Sequence, residues 1–82
     1  MPPKTRYRSE DHALIEAFGQ RLRELRTAQG LTQEELATRA GVEAAEVGFY
    51  ERGEREPGIV MLMRLADGLG CEAMSLLASN PR

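Results

Sequence analysis

A helix, a glycine turn and a second helix are predicted for residues 31–53, and this pattern constrains the fold more than any other part of the chain. Thr32 and Glu35 have the Ser/Thr-x-x-Glu spacing of a capping box, in which each side chain accepts a hydrogen bond from the other residue's amide. Apolar residues then recur at helical spacing as far as Gly41, which can adopt the left-handed conformation that ends a helix. A second helix is expected from residue 43 or 44 to Gly53.

Helical periodicity covers most of the remaining chain and predicts three more helices. They are expected over residues 11–29, with Ser9 as a plausible N-cap, and over residues 59–69 and 73–77. The buried stripe of the first helix is predicted to consist of Leu14, Ile15, Phe18, Leu22 and Leu25. No segment alternates with the period of a strand, so the predicted fold class is all-α, a compact five-helix helix-turn-helix domain. The expected boundaries are a flexible basic arm over 1–10, the domain over 11–78 and a frayed tail over 79–82.

The composition argues against several classes of protein. Its 82 residues fit one domain, and the single Cys excludes an intramolecular disulfide and a cysteine-based zinc site. With one His, no spacing supports a nucleophile–base pair, so we expect neither an enzyme nor a metal or cofactor site. No apolar run approaches the ~18 residues needed to cross a bilayer. A cytoplasmic protein without a membrane partner is therefore expected.

The charge of the chain is unevenly distributed. The net charge of −2 counts against binding to nucleic acid, which usually requires a basic surface. Lys4, Arg6 and Arg8, however, make the first eight residues basic and free of acids, whereas acids gather in residues 43–56. The arm is interpreted either as a solvated tail or as a segment that touches phosphates.

Three segments carry recognisable motifs in a fixed order: FGQRLRELRTAQGLTQEELATRAGV, then YERGEREP, then LMRLADGLG. In this order they resemble the Xre family of lambda-repressor-like (Cro/C1-type) helix-turn-helix DNA-binding domains, over about residues 18–77. The first segment is also similar to the restriction–modification controller proteins. The resemblance implies a five-helix domain and a homodimer that binds a short inverted-repeat operator in double-stranded DNA to control transcription.

The resemblance also assigns roles to individual residues. Gln33, assisted by Thr32, is expected to clamp a phosphate at a helix N-terminus, where free amides and the helix dipole favour an anion. Arg26 and Glu51 match a pair that forms a structural salt bridge. DNA-backbone contacts are expected from two further cations, Arg52 and Arg55.

The predicted recognition helix departs from the family pattern, because the usual polar readers are missing. Small, acidic or aromatic residues occupy their positions, namely Glu43, Ala44, Ala45, Glu46, Gly48 and Phe49. The two alanines are expected to contact thymine methyl groups, and Phe49 to do the same or to wedge against sugars. Glu43 or Glu46 is expected to accept from a cytosine amine, although phosphates repel both carboxylates. Glu43 has a second interpretation as an N-cap. Gly48 indicates either a close approach or tolerated drift.

Two functions follow from these observations. The first is a sequence-specific DNA-binding transcriptional regulator, and the alternative is an interaction module that keeps the fold but binds DNA weakly or not at all. The fourth helix is apolar nearly all round, which indicates either a well-buried central helix or a dimer interface. The residues expected at that interface are Val60, Met61, Met63 and Met74. There is no room for a separate ligand domain, so no small-molecule ligand is expected.

Overall fold

The computed structural model describes residues 7–77, which form five helices and no strand. The helices are α1 (Ser9–Ala28), α2 (Gln33–Ala40), α3 (Ala44–Glu51), α4 (Ile59–Leu69) and α5 (Ala73–Leu77). The predicted all-α, five-helix class is confirmed. The predictions for the first six residues of the arm and for residues 78–82 lie outside the described residues. No helix within residues 7–77 is both long enough and apolar enough to cross a membrane.

The helix ends follow the local signals in the sequence. Thr32 Oγ1 accepts a hydrogen bond from the Glu35 amide at 3.0 Å, and Glu35 Oε1 accepts one from the Thr32 amide at 2.8 Å. The capping box is thus confirmed. Gly41 follows α2 with φ +72°, as predicted for a glycine stop. Helix α4 spans the predicted residues, and Gly70 ends it in the same conformation.

The start of α1 differs from the prediction. The helix begins at Ser9, two residues earlier than expected, and Arg8 rather than Ser9 is its N-cap. The reason is the carboxylate of Asp11, which accepts a hydrogen bond from the Arg8 amide at 2.9 Å. An acid three residues after the cap therefore satisfies an amide that precedes the helix.

The core lies between the helices, where α2 packs against α3 and α4, and α1 packs against α3 and α5. Its fully buried side chains are Leu22, Leu36, Val47, Leu65 and Leu76. The predicted stripe of α1 is correct for Phe18 and Leu22 but wrong for Leu14, which is 62% exposed. Leu14 lines an open surface groove together with Ile59 and Leu77 instead of packing into the core.

Helix α1 approaches α3 so closely at Gly19 that no side chain fits there. A Cβ atom at residue 19 would lie 2.9 Å from the Glu51 carbonyl oxygen and closer still to that of Tyr50. A similar crossing occurs at Gly68, where a Cβ atom would lie 3.0 Å from the Ala40 amide nitrogen. These glycines set the distances between the helices.

Replacing Gly19 by alanine is expected to destabilise the domain, because the obstructing atoms belong to the backbone. Overpacking usually costs ~1–3 kcal/mol, which exceeds the ~1 kcal/mol that alanine contributes inside a helix. Gly48→Ala is the matched control, since its Cβ atom would meet side-chain ends and no backbone: the flexible end of Arg52 at 2.9 Å and Gln33 Oε1 at 3.5 Å. Urea denaturation followed by circular dichroism should show a less stable Gly19→Ala and a control that is unchanged or more stable. Equal stability of the two variants would contradict the close crossing.

Candidate nucleic-acid interface

A buried ion pair joins α1 to the end of α3. Arg26 Nε and Nη2 donate to Glu51 Oε2 and Oε1 at 2.6 and 3.0 Å. The side chains are 11% and 3% exposed, so the pair is shielded from solvent. Arg26 Nη1 also donates to the Leu31 carbonyl at 2.7 Å, which ties the α1–α2 turn to the same group. The hydrogen bond to Glu51 raises the pKa of the Arg26 guanidinium.

Gln33, the first residue of α2, belongs to the same network. Its Nε2 donates to Glu51 Oε1 at 3.0 Å, which holds the side chain half-buried against the end of α3. An amide group carries two N–H donors, so one remains for another acceptor. Thr32 beside it is exposed. The structure thus places the N-terminus of α2 next to the C-terminal end of α3.

The outer face of α3 is nearly bare of long side chains. Ala45 is exposed, whereas Ala44 is half-buried and packs against the core. Glu46 is half-buried as well. Glu43 is the N-cap residue of α3, as one of its two interpretations predicted. Its side chain, however, makes no capping hydrogen bond.

A cluster of two cations around Phe49 covers the C-terminal end of this face. The guanidinium carbon of Arg55 lies 4.4 Å from the centre of the Phe49 ring, and that of Arg52 lies 5.5 Å from it. Such distances give favourable cation–π contacts. Arg52 also forms a two-pronged ion pair with Glu54, at 3.0 and 3.2 Å.

These pairs change the charge balance inferred from the sequence. Two acids of the acid-rich segment are matched by cations, Glu51 by Arg26 and Glu54 by Arg52. The hydrogen bond from Arg52 lowers the pKa of Glu54, which keeps that carboxylate ionised. The end of α3 therefore carries less net negative charge than the run of acids indicates.

The base of the N-terminal arm contacts the loop that follows α3. Tyr7 donates a hydrogen bond to Glu56 and makes an edge-to-face contact with His12, with ring centres 5.8 Å apart. Tyr7 therefore lies near the loop that contains Arg55. The remainder of the predicted arm, residues 1–6, is not among the described residues.

The predicted interface residues of α4 and α5 do not all have the same surroundings. Val60, Met63 and Met74 are 60%, 56% and 69% exposed, whereas Met61 is half-buried and packs against the core. Cys71 is half-buried, and burial raises the pKa of its thiol. Within residues 7–77 no group of His, Cys, Asp and Glu has the arrangement of a metal site.

The contacts of this surface that were not predicted from the sequence include Gln33 with Glu51, Arg52 with Glu54, and Arg55 with Phe49. The last two join residues two and six positions apart, in a segment where cations, acids and one aromatic alternate. That alternation is a usable signal. The contact of Gln33 with Glu51 joins two different helices, so it depends on how α2 packs against α3 and not on a local pattern.

Comparison with known proteins gives consistent results. The helix-turn-helix family model HTH_3 matches residues 22–75. The HTH-type transcriptional regulator y4dJ of Sinorhizobium fredii is 37% identical over 59 residues, which cover 72% of this chain and 77% of the relative. An HTH-type transcriptional regulator of Methanothermobacter thermautotrophicus is 43% identical over 51 residues, which cover 62% of this chain and 74% of that one.

A solved structure shows the same similarity in three dimensions. The crystal structure of the restriction–modification controller protein C.AhdI from Aeromonas hydrophila superposes with a TM-score of 0.76 at 48% identity. The match covers 78% of this chain and 97% of the controller protein. The predicted resemblance, including that to the controller proteins, is confirmed.

Removing the charge of Glu51 is expected to destabilise the fold strongly. Glu51→Gln leaves Arg26 without its carboxylate, and an unpaired buried charge typically costs ~3–5 kcal/mol. Glu54→Gln is the matched control, because that carboxylate pairs with an exposed Arg52 and its side chain is 52% exposed. Denaturant titration should show a large loss for the first variant and no measurable change for the second. Equal stability would mean that the buried pair does not hold the domain together.

Proposed function

The chain belongs to the helix-turn-helix family of DNA-binding transcriptional regulators, and from this premise we propose that it binds an inverted-repeat operator as a homodimer. In this proposal α3 enters the major groove of each half-site, and the N-terminus of α2 contacts the DNA backbone beside it. Regulation of transcription follows from occupancy of the operator.

The observation that carries the proposal is the hydrogen bond between Gln33 and Glu51. It sets the N-terminus of α2 against the end of α3. In the proposed complex the first amides of α2, the second N–H of Gln33 and the guanidinium of Arg55 contact phosphates. Amides at a helix N-terminus and a nearby cation are suited to adjacent phosphates. Phosphate contacts of this kind position a protein on DNA without reading its sequence.

Base contacts from α3 itself are expected to be mainly apolar. Ala44, Ala45 and Phe49 offer methyl and ring carbons suited to thymine methyl groups, and Glu46 offers an acceptor for a cytosine amine. Ala44 and Glu46, being half-buried, contribute less than the exposed Ala45. The sequence preference is therefore expected to depend also on the shape of the operator.

The alternative, an interaction module, depended on an exposed aromatic residue on an acidic helix. Phe49 is half-buried beneath Arg52 and Arg55 instead. A face on which guanidinium groups cover the aromatic ring is better suited to phosphates than to an apolar partner. The regulator is therefore the better-supported function.

Selection of random genomic fragments with the purified protein, at low and at high salt, tests the function. We expect enrichment of one inverted repeat and an affinity that falls with a slope of about −0.9 in log–log form for each phosphate contacted. If no fragment is enriched even at low salt, the regulator reading is wrong and the interaction module is favoured.

Arg55→Ala should weaken binding to all sequences alike and reduce the salt slope by about one. Arg39→Ala, at the far end of α2 from Gln33, is the matched control and should leave both unchanged.

The proposed homodimer is supported by apolar side chains on α4 and α5 that the described part of the chain leaves uncovered. These exposed side chains are Ile59, Val60, Met63, Met74 and Leu77. Two of them, Ile59 and Leu77, line a groove of about 320 Å³ together with Leu14, Phe18 and Leu62. Uncovered apolar side chains of this number on a small domain favour association.

A charge placed on this surface is expected to separate the protomers. In Val60→Glu and Met63→Glu a carboxylate replaces an exposed apolar side chain, and burying it unpaired in an interface is costly. Sedimentation equilibrium at micromolar concentration should show a dimer for the wild type and monomers for these variants. Ala13→Glu, which adds the same charge on an exposed position of α1, should remain dimeric. A wild type that is a strict monomer would refute the dimer and the assignment of Val60, Met61, Met63 and Met74.

A further inference from the structure

The side-chain donors that usually read guanine or adenine are missing from residues 44–48 of α3. Ala44, Ala45 and Gly48 have none, and the carboxylate of Glu46 can only accept. A donor for base reading must therefore come from a residue outside these positions.

Arg52, the residue that follows α3, supplies such a donor. Its Nη1 atom lies 2.9 Å, and its Cζ atom 3.7 Å, from the point where a Cβ atom of residue 48 would stand. Side chains of a helix lean towards its N-terminus and cover the residue four positions earlier. The guanidinium thus occupies the space that a side chain at residue 48 would fill, and glycine leaves that space open.

The guanidinium also forms a two-pronged contact of the kind that base reading uses. Nε and Nη2 of Arg52 face the two oxygens of Glu54, so that the planar fork already binds two acceptors at once. Guanine presents a comparable pair, O6 and N7, in the major groove. The two side chains of the ion pair are 55% and 52% exposed, and an exposed pair of this kind is weak enough to exchange for another partner.

From this arrangement, and resting on the proposed function, we propose that Arg52 reads a guanine in each half-site and that Gly48 is the residue that positions it. In the free protein Glu54 occupies the fork, and in the complex the guanine edge replaces it. Arg55 packs on Phe49 beside it, and in the proposed complex it contacts phosphate. The base-reading arginine therefore reaches the outer face of α3 from the helix end.

The test compares binding of the wild type and four variants to the selected operator and to a set carrying every single base-pair change, at one fixed salt concentration. Arg52→Ala should lose a preference for G·C of about 10- to 100-fold at one position of each half-site and keep the others. Arg52→Lys should lose most of that preference, since lysine lacks the two-pronged geometry. Gly48→Ala should also lose the preference for G·C, because its methyl group displaces the Arg52 guanidinium, although alanine is a better helix former than glycine. Arg39→Ala should retain the full pattern.

Three results would overturn the inference. One is that Arg52→Ala lowers the affinity equally for all sequences and reduces the salt slope by about one, because this combination marks a phosphate contact. Another is full discrimination by Gly48→Ala. If the wild type selects no operator at all, the proposed function and this inference fail together, whereas a selected operator with either of the first two results removes only the role of Arg52. Circular dichroism of each variant verifies that the fold is intact.

Discussion

The carboxylate of Glu51 is the group on which the arrangement of the first three helices depends. It accepts two hydrogen bonds from Arg26 of α1 and one from Gln33 of α2 while it belongs to α3. A buried carboxylate is tolerated only when its oxygens are satisfied, so the three helices are held at the angles that bring these donors together. Within residues 7–77 no buried side-chain nitrogen or oxygen lacks a partner. Because Gln33 also belongs to the candidate DNA surface, the same group positions the scaffold and the site.

Most of the fold could be predicted because its signals are local. A capping box at Thr32 and Glu35, glycines at the ends of α2 and α4, and the apolar spacing of α4 each act within a few residues. The start of α1, which was predicted wrongly, also depends on a local contact. The sequence pattern assigned the N-cap to Ser9, but the carboxylate of Asp11 accepts a hydrogen bond from the Arg8 amide, and Arg8 is the N-cap. The energy that fixes such an end comes from one or two hydrogen bonds. Boundaries therefore shift by a residue or two while the helix remains.

The candidate site was only partly predictable, because its geometry depends on how the helices cross. Leu14 fits the apolar spacing of α1, but it lies in an open groove beside Ile59 and Leu77 and stays mostly exposed. Gly19 gave no periodic signal, although the backbone of α3 leaves no room for a side chain there. Arg52 could be placed at the end of α3 from the sequence, but the direction of its side chain depends on Glu54, Phe49 and the space at residue 48.

The inner and outer faces of α3 have separate physical roles. A helix of eight residues that contains a mid-helix glycine is not stable alone in water. It forms here because Val47 and Tyr50 are buried, at 0% and 2% exposure, and because Glu51 is held by two other helices. Those inner-face contacts do not involve Ala45, so the outer face is free to consist of small residues. In the proposed complex, this bare outer face lets the helix backbone approach the bases closely, and the long side chain of Arg52 then has room beside it.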